Sequence, residues 1–273
     1  MSTEGLLAYC RPGFEPDLAA ELGHHAGVQG IPAYAKTERG SAFVMLLGAP
    51  RDLLAEAIPY SQLVFGRQKY ALIDALEDLD PLDRISPVLE ALGGKGRYGD
   101  LSVETPDSDD ARQLAGLAKA FGNALRPALR KRGMLTDKPN PKLPMLHVVF
   151  VRNNHLLLAS STAGDRSPWP MGIPRLKQDS RAPSRSAMKL DEALACLMTP
   201  AERMDLIAEG MTAADLGASP GGWSWVLAKH HMRVTAIDNG PMHADALATG
   251  LIEHIRADGF QWQPTRTLDW MVC

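Results

Sequence analysis

Ten consecutive residues, Asp215-Leu216-Gly217-Ala218-Ser219-Pro220-Gly221-Gly222-Trp223-Ser224, carry the strongest chemical signal in the chain. They lie where a predicted strand ends and a predicted helix starts, the edge at which open α/β sheets bind ligands. Gly217 and the Gly221-Gly222 pair remove side chains where the backbone must turn tightly and approach a ligand, and the free N–H groups of the next helix favour an anionic group. A tight strand-to-helix turn with no ligand would use the same residues. The spacing is not that of the dinucleotide fingerprint GxGxxG, because only one glycine precedes Ser219-Pro220. Asp238 follows the next apolar strand, about 20 residues on, where a carboxylate can accept both ribose hydroxyl hydrogens of a nucleoside. Asp258 ends the strand after that, beside Gly259. As isolated acids, both also suit helix caps or turns. Ser186 precedes Lys189 by one helical turn, close enough to share its face, and equally suits a helix start.

These residues need an alternating frame to hold them. Strand Ala213 to Leu216, helix Trp223 to Lys229, strand Val234 to Ile237, helix His243 to Ala248, strand His254 to Arg256 and strand Trp270 to Cys273 predict a parallel sheet with right-handed crossovers. Ahead of it, Arg185 to Leu197 is helical by the spacing of Met188, Leu190, Leu194 and Leu197. Thr199-Pro200-Ala201-Glu202 matches a capping box with Pro at the first helical position. From Thr162 to Pro183 the chain is rich in Pro, Ser and Arg, which marks a linker over 162–183. The first 70 residues follow a βαββαβ-like order, with strands at Leu6 to Cys10, Ile31 to Ala35, Ala42 to Leu47 and Leu63 to Tyr70 and helices at Glu15 to Ala26 and Arg51 to Ala57, which fits a ferredoxin-like unit. Over 71–161 come a helix at Leu82 to Leu92, a strand at Leu101 to Thr105, helices from Asp107 or Ser108 through Leu117 and from Phe121 to Arg132, and a hairpin of Met145 to Val151 with His155 to Ser160 about Asn153-Asn154.

At 273 residues the chain is long enough for two or three domains, and with 45% hydrophobic and 22% charged residues a packed fold is expected. Cys10, Cys196 and Cys273 are few and scattered, with no CxxC pair and no histidine placed to complete a zinc site, which points to a reducing cytoplasm and no metal. No apolar run reaches the length of a membrane span, and Met1 to Leu7 lacks the basic start of an export signal. A net charge of -3 counts mildly against nucleic acid. Its distribution matters more: Arg126, Arg130, Lys131 and Arg132, then Arg185, cluster among further basic residues. Each run alone suits a solvated face; together they suit a backbone-binding stripe.

DLGASPGGW resembles the first motif of the FtsJ-like ribose methyltransferases. PSRSAMKLDEA, from Pro183 to Ala193, is similar to that family's preceding helix with its first catalytic Lys, and AIDNGPM, IRADGF and LDWMVC are similar to its successive strand ends. YCRPGFEPDLAAEL, LVFGRQ and SPWPMGIPRLK resemble a bacterial branch in which a ferredoxin-like unit (1–70) and a THUMP RNA-binding domain (71–161) precede a Rossmann-like catalytic domain (184–273). The resemblance implies S-adenosylmethionine as cofactor and a ribose 2'-hydroxyl of large-subunit ribosomal RNA, a cytidine in the peptidyl-transferase region, as substrate. It implies cofactor contacts from Ser186, Gly217, Ser219, Pro220, Gly221 and Gly222, with the methionine carboxylate at the glycine turn, Asp238 on the adenosyl ribose and Asp258 on the adenine. Lys189 matches the first Lys of a Lys-Asp-Lys-Glu tetrad that orients and deprotonates the hydroxyl. A cytoplasmic monomer acting on RNA, with no metal and no membrane, is expected.

The sequence stops at Cys273, immediately before the position that the resemblance gives to the tetrad Asp, and the later Lys and Glu are absent. A truncated parallel sheet, part of a longer protein and inactive by itself, is the expectation, because an open sheet ending on a hydrophobic strand leaves an unpaired edge. The rival from another class is a non-catalytic RNA-binding or ribosome-assembly factor that retains the fold. A nucleotide-dependent oxidoreductase is disfavoured by the missing GxGxxG.

Overall fold

In a computed structural model, which describes residues 3–273, the apolar run near the start forms β1 (Gly5–Tyr9), buried on both faces. The chain continues through α1 (Glu15–Val28), β2 (Tyr34–Thr37), β3 (Phe43–Leu47), α2 (Arg51–Ala57) and β4 (Gln68–Leu76). Strands β2, β3, β1 and β4 pair antiparallel in that order, the arrangement of a ferredoxin-like unit. Leu18, Leu22 and Ala26 of α1 and Leu54 of α2 pack on Leu6, Ala8, Val44 and Leu46, so alternate residues of β1 and β3 face the helices.

The sheet does not stop there. After α3 (Ile85–Ala91), β5 (Asp100–Glu104), α4 (Asp109–Arg112), α5 (Ala115–Lys131), β6 (Met145–Arg152) and β7 (His155–Ser161), it runs as seven strands in the order β2-β3-β1-β4-β7-β6-β5. The division expected at residue 70 falls inside β4, whose Leu72 pairs with Gly5 on one side and Ala159 on the other. A strand with partners on both edges joins the two segments into one sheet. The strand expected from Leu63 begins only at Gln68, because Tyr60–Gln62 first makes a 3-10 turn behind Pro59. The two helices expected between 107 and 132 resolve into the short α4, capped by Ser108 Oγ on the Ala111 N–H at 3.3 Å, and the long α5, ended by Gly133 at φ 71°.

The face of this sheet away from the helices curls on itself. Tyr9 of β1 donates to Glu104 of β5 at 3.1 Å, although three strands separate β1 from β5 in the sheet. Inside the curl Tyr70 also donates to Glu104 at 2.8 Å and stacks on the His147 ring at 3.8 Å, while His147 Nε2 shares a hydrogen bond with Ser161 Oγ. Burial holds the Glu104 carboxyl above its ordinary range and pushes the His147 imidazole down to about 3, so His147 is neutral in the native state. An unfolded histidine titrates near 6.5. Between about pH 6.5 and 3 the unfolded chain therefore binds a proton that the folded chain refuses, and stability falls as pH falls through that window. By pH 4 this side chain alone should cost roughly 3 kcal/mol. Glu104, raised, works in the opposite direction. Urea unfolding of the protein and of His147→Gln across that window checks the sign: the variant should lose less stability on acidification, and parallel curves would remove His147 as the cause.

The second unit begins at Pro174 and is built on four parallel strands. It comprises α6 (Ala187–Leu197), α7 (Pro200–Leu206), β8 (Thr212–Leu216), α8 (Gly222–Lys229), β9 (Arg233–Ile237), α9 (Ala244–Leu247), β10 (Ile252–Ile255) and β11 (Trp270–Val272). The strand order is β10-β9-β8-β11, parallel throughout. The core joins Leu190 and Leu194 of α6 with Trp225, Val226 and Leu227 of α8 and Ala213, Val234 and Val272 of the strands. Among the described residues, no helix is long and apolar enough to cross a membrane.

Candidate cofactor site

From β8 the chain passes to β9 and β10 on one side, then returns to place β11 on the other. The carboxyl end of β8 is therefore a topological switch point, where an open parallel sheet has a crevice. The glycine turn lies there. Asp215, 3% exposed, anchors it: one carboxylate oxygen accepts the Ser224 N–H at 2.9 Å and the Ser224 hydroxyl at 2.6 Å, tying the end of β8 to the first turn of α8. Burial raises the Asp215 carboxyl above its usual range, with the Ser224 donors opposing it. Sequence reasoning gave Asp215 no role; its signal was its i,i+9 relation to a serine at the helix start.

Within the turn, Gly217 donates to Ile237 O at 2.9 Å with φ 77°, and Gly221 donates to Ala218 O at 2.6 Å with φ 104°. A Cβ on Gly217 would project into open space, whereas one on Gly221 would strike the Met242 methyl group. The peptide bond Ser219-Pro220 is cis. The two arms of the turn meet the end of β9 through Asp238, which accepts the Ser219 N–H at 2.9 Å on one oxygen and the Gly240 N–H at 2.6 Å on the other. Those donors, Gly240 first, hold the Asp238 carboxyl below its usual range. It is thus ionised, oriented and still able to accept more hydrogen bonds, since a carboxylate has about four acceptor positions. Gly259 lies against Leu216, with its Cβ position 3.4 Å from the Leu216 Cβ, so Asp258-Gly259 borders the turn. Asp258 itself is exposed and accepts the Phe260 N–H at 2.9 Å.

Family models match residues 3–70 as the RlmM ferredoxin-like domain, residues 83–162 as the N-terminal region of ribosomal RNA large subunit methyltransferase M, and residues 182–269 as an FtsJ-like methyltransferase. The ribosomal RNA large subunit methyltransferase M of Xanthomonas axonopodis pv. citri (strain 306) is 57% identical over 269 residues, covering 98% of this chain and 78% of that protein. The chain belongs to the ribosomal RNA large subunit methyltransferase M family. The same enzyme of Xanthomonas oryzae pv. oryzae (strain KACC10331 / KXO85) is 57% identical over the same shares. Among solved structures, PH1313 from Pyrococcus horikoshii Ot3 is 9% identical with a TM-score of 0.36, over 86% of this chain and 68% of its own, a superposition too loose to argue from.

The expected site residues of this family member divide by what the structure does with them. Gly217, Gly221, Asp238 and the exposed Pro220 converge on the crevice, with Asp258 at its border. Ser219 is spent on the turn: its N–H goes to Asp238 and its hydroxyl to Pro241 O at 2.8 Å. Gly222 is a packing position, because a Cβ there would overlap the hydroxyls of Ser184 and Ser186 and lie 3.1 Å from the Ala187 N. Ser186 fastens α6 to α8 by accepting the Trp223 indole N–H on its carbonyl at 3.0 Å, and its hydroxyl pairs with that of Ser184 at 2.5 Å. Gly222→Ala should therefore lower the melting temperature of the second unit by several degrees, as overpacking costs about 1–3 kcal/mol. Calorimetric melting of the variant checks it; an unchanged transition would show that the serines yield without cost.

The basic candidates fare differently. Arg126 gives its guanidinium to Asp100 Oδ1 and Leu101 O, both at 2.7 Å, and Arg130 gives its own to Thr136 O and Asp137 O at 3.2 and 2.8 Å. Both pin α5 to its neighbours, Arg126 by a charge-assisted bond to a carboxylate and Arg130 through two backbone carbonyls. Lys131, Arg132 and Arg185 are exposed. Lys189 is exposed in the first turn of α6, three residues past Ser186.

Proposed function

We propose that this protein transfers a methyl group from S-adenosylmethionine to a ribose 2'-hydroxyl of large-subunit (23S) ribosomal RNA, at a cytidine of the peptidyl-transferase region. The observation that carries it is the ionised Asp238 carboxylate, clamped by the Ser219 and Gly240 N–H groups beside a glycine turn at the switch point of a parallel sheet. The pair of oxygens suits two ribose hydroxyls, and the open side of Gly217 suits the close approach of a ligand that a Cβ would obstruct. When bound, the cofactor supplies a sulfonium methyl carbon open to in-line attack by an oxygen. The chain contributes orientation: Asp238 fixes the adenosyl ribose, Asp258 borders the adenine, and Lys189 holds the attacking hydroxyl. The segment 71–161 is proposed to act as a THUMP-type RNA-binding domain on the shared seven-stranded sheet. A radiolabelled methyl-transfer assay on unmodified ribosomal RNA, followed by nuclease mapping, tests the reaction; label on a base instead of a ribose would refute it.

Exposed Lys131 and Arg132, at the end of α5, are two cations of the first basic run available for phosphate. Replacing both by Ala should weaken RNA binding and reduce the slope of log affinity against log salt by up to about 2, roughly one for each phosphate no longer neutralised. Filter binding at several salt concentrations measures it. An unchanged slope would leave the run a solvated face.

A further inference from the structure

One cavity of the first unit, about 700 Å³, is lined by ion pairs such as Arg67 with Asp107 at 3.6 Å and Arg152 with Glu38 at 3.3 Å. A second cavity, about 300 Å³, is different. Tyr70, His147, Arg166 and Trp169 line it, with flat prolines around the rim. Two buried nitrogens of these side chains, His147 Nδ1 and the Trp169 indole N–H, have no hydrogen-bond partner among the described residues, and His147 is 2% exposed. Arg166 directs one guanidinium nitrogen at the Met145 sulfur, 2.9 Å away, a weak acceptor that leaves the fork's capacity largely unused.

These unspent groups do not sit on a loose segment. Residues 165–169 are strapped to the sheet: Gln68 Oε1 accepts the Ser167 N–H at 2.9 Å, Gln68 Nε2 donates to Ser167 O and Trp169 O, and Asp165 pairs with the buried Lys69 and accepts the Tyr60 N–H at 2.8 Å. A fixed pocket lined by an unspent indole N–H, an underused guanidinium and flat prolines suits a flat ligand with acceptor atoms on its edge. Unpaired nucleobases have that form, and proteins take them by stacking and by hydrogen bonds to their edges. We propose that this cavity binds one unstacked nucleotide of RNA, the edge of its base accepting from the Trp169 N–H and the Arg166 guanidinium and its face against the prolines that line the cavity. The identity of the polymer rests on the ribosomal RNA function proposed above; the pocket chemistry does not.

Calorimetric titration of the protein with cytidine and uridine 5'-monophosphates to millimolar concentration tests it, with inorganic phosphate as the control. Saturable nucleotide binding is expected, much tighter than phosphate. Trp169→Phe, which keeps a ring and deletes the donor, should weaken it about fivefold, and Arg166→Met about tenfold, with melting temperature and S-adenosylmethionine affinity unchanged. No saturable binding, phosphate binding equal to nucleotide, or binding indifferent to both variants would each overturn the proposal. Ribosomal RNA methylation without nucleotide binding would sink the pocket alone, whereas nucleotide binding without methylation would sink the proposed function and leave the pocket.

Discussion

Asp238→Ala is expected to weaken S-adenosylmethionine binding by a hundredfold or more while the protein stays folded. Hydrogen bonds to a charged acceptor contribute about 1.5–3 kcal/mol each, and two ribose hydroxyls on one carboxylate make two of them. The carboxylate is also pre-oriented by the Gly240 and Ser219 N–H groups, so little ordering is left to the moment of binding. Those two donors belong to partly exposed residues at the sheet edge, where water can replace the lost acceptor, and this is why the fold should survive. Because the same donors lower the Asp238 carboxyl, its contribution to affinity should persist until pH falls below the ordinary carboxylate range. Titration calorimetry at neutral pH, and at about pH 4 where an ordinary aspartate is half protonated, decides both points: affinity within threefold of the parent in Asp238→Ala would remove Asp238 from the site.

Local signals carried the second unit well. Thr199 and Glu202 close the capping box that their spacing announced, with Thr199 Oγ1 accepting the Glu202 N–H at 3.2 Å and Glu202 accepting the Thr199 N–H at 2.8 Å. Strand β8, helix α8 and strand β9 begin one residue before the expected starts, because apolar strands bounded by glycine and charge leave little freedom. Long-range relations were illegible. Nothing in Gln68–Leu76 distinguishes an edge strand from one that joins two halves of a sheet, and the curl that brings Tyr9 to Glu104 depends on residues 95 positions apart. The fate of a cation was equally hidden: Arg126 and Arg132 are the same residue type near one helix end, yet Asp100 and Leu101 claim the first and the second stays exposed. Ser219 shows the limit at a motif, where spacing locates a turn without saying which of its residues hold the ligand and which hold the turn.

Lys189→Ala is expected to reduce methyl transfer about a thousandfold, the scale of a lost proton-transfer or hydroxyl-orienting group, while the dissociation constant for S-adenosylmethionine changes less than about twofold. The interactions that assemble this part of the site bypass its side chain: Ser186 O takes the Trp223 indole, Gly222 packs on Ser184 and Ser186, and Leu190 and Leu194 bury the helix against α8. Removing the ammonium should therefore leave α6 seated and the glycine turn closed. An exposed side chain one helical turn from that junction can reach the ribose hydroxyl and orient it for attack. Lys189→Arg tests the geometry separately, because a planar fork preserves charge but not the position of a single point donor. Single-turnover transfer to unmodified ribosomal RNA, measured in the protein as its organism makes it and paired with calorimetry of cofactor binding, separates the outcomes. A slow chemical step with intact binding in Ala, and only partial recovery in Arg, is the expected pattern; turnover in Lys189→Ala within tenfold of the parent would take the reacting hydroxyl away from this helix.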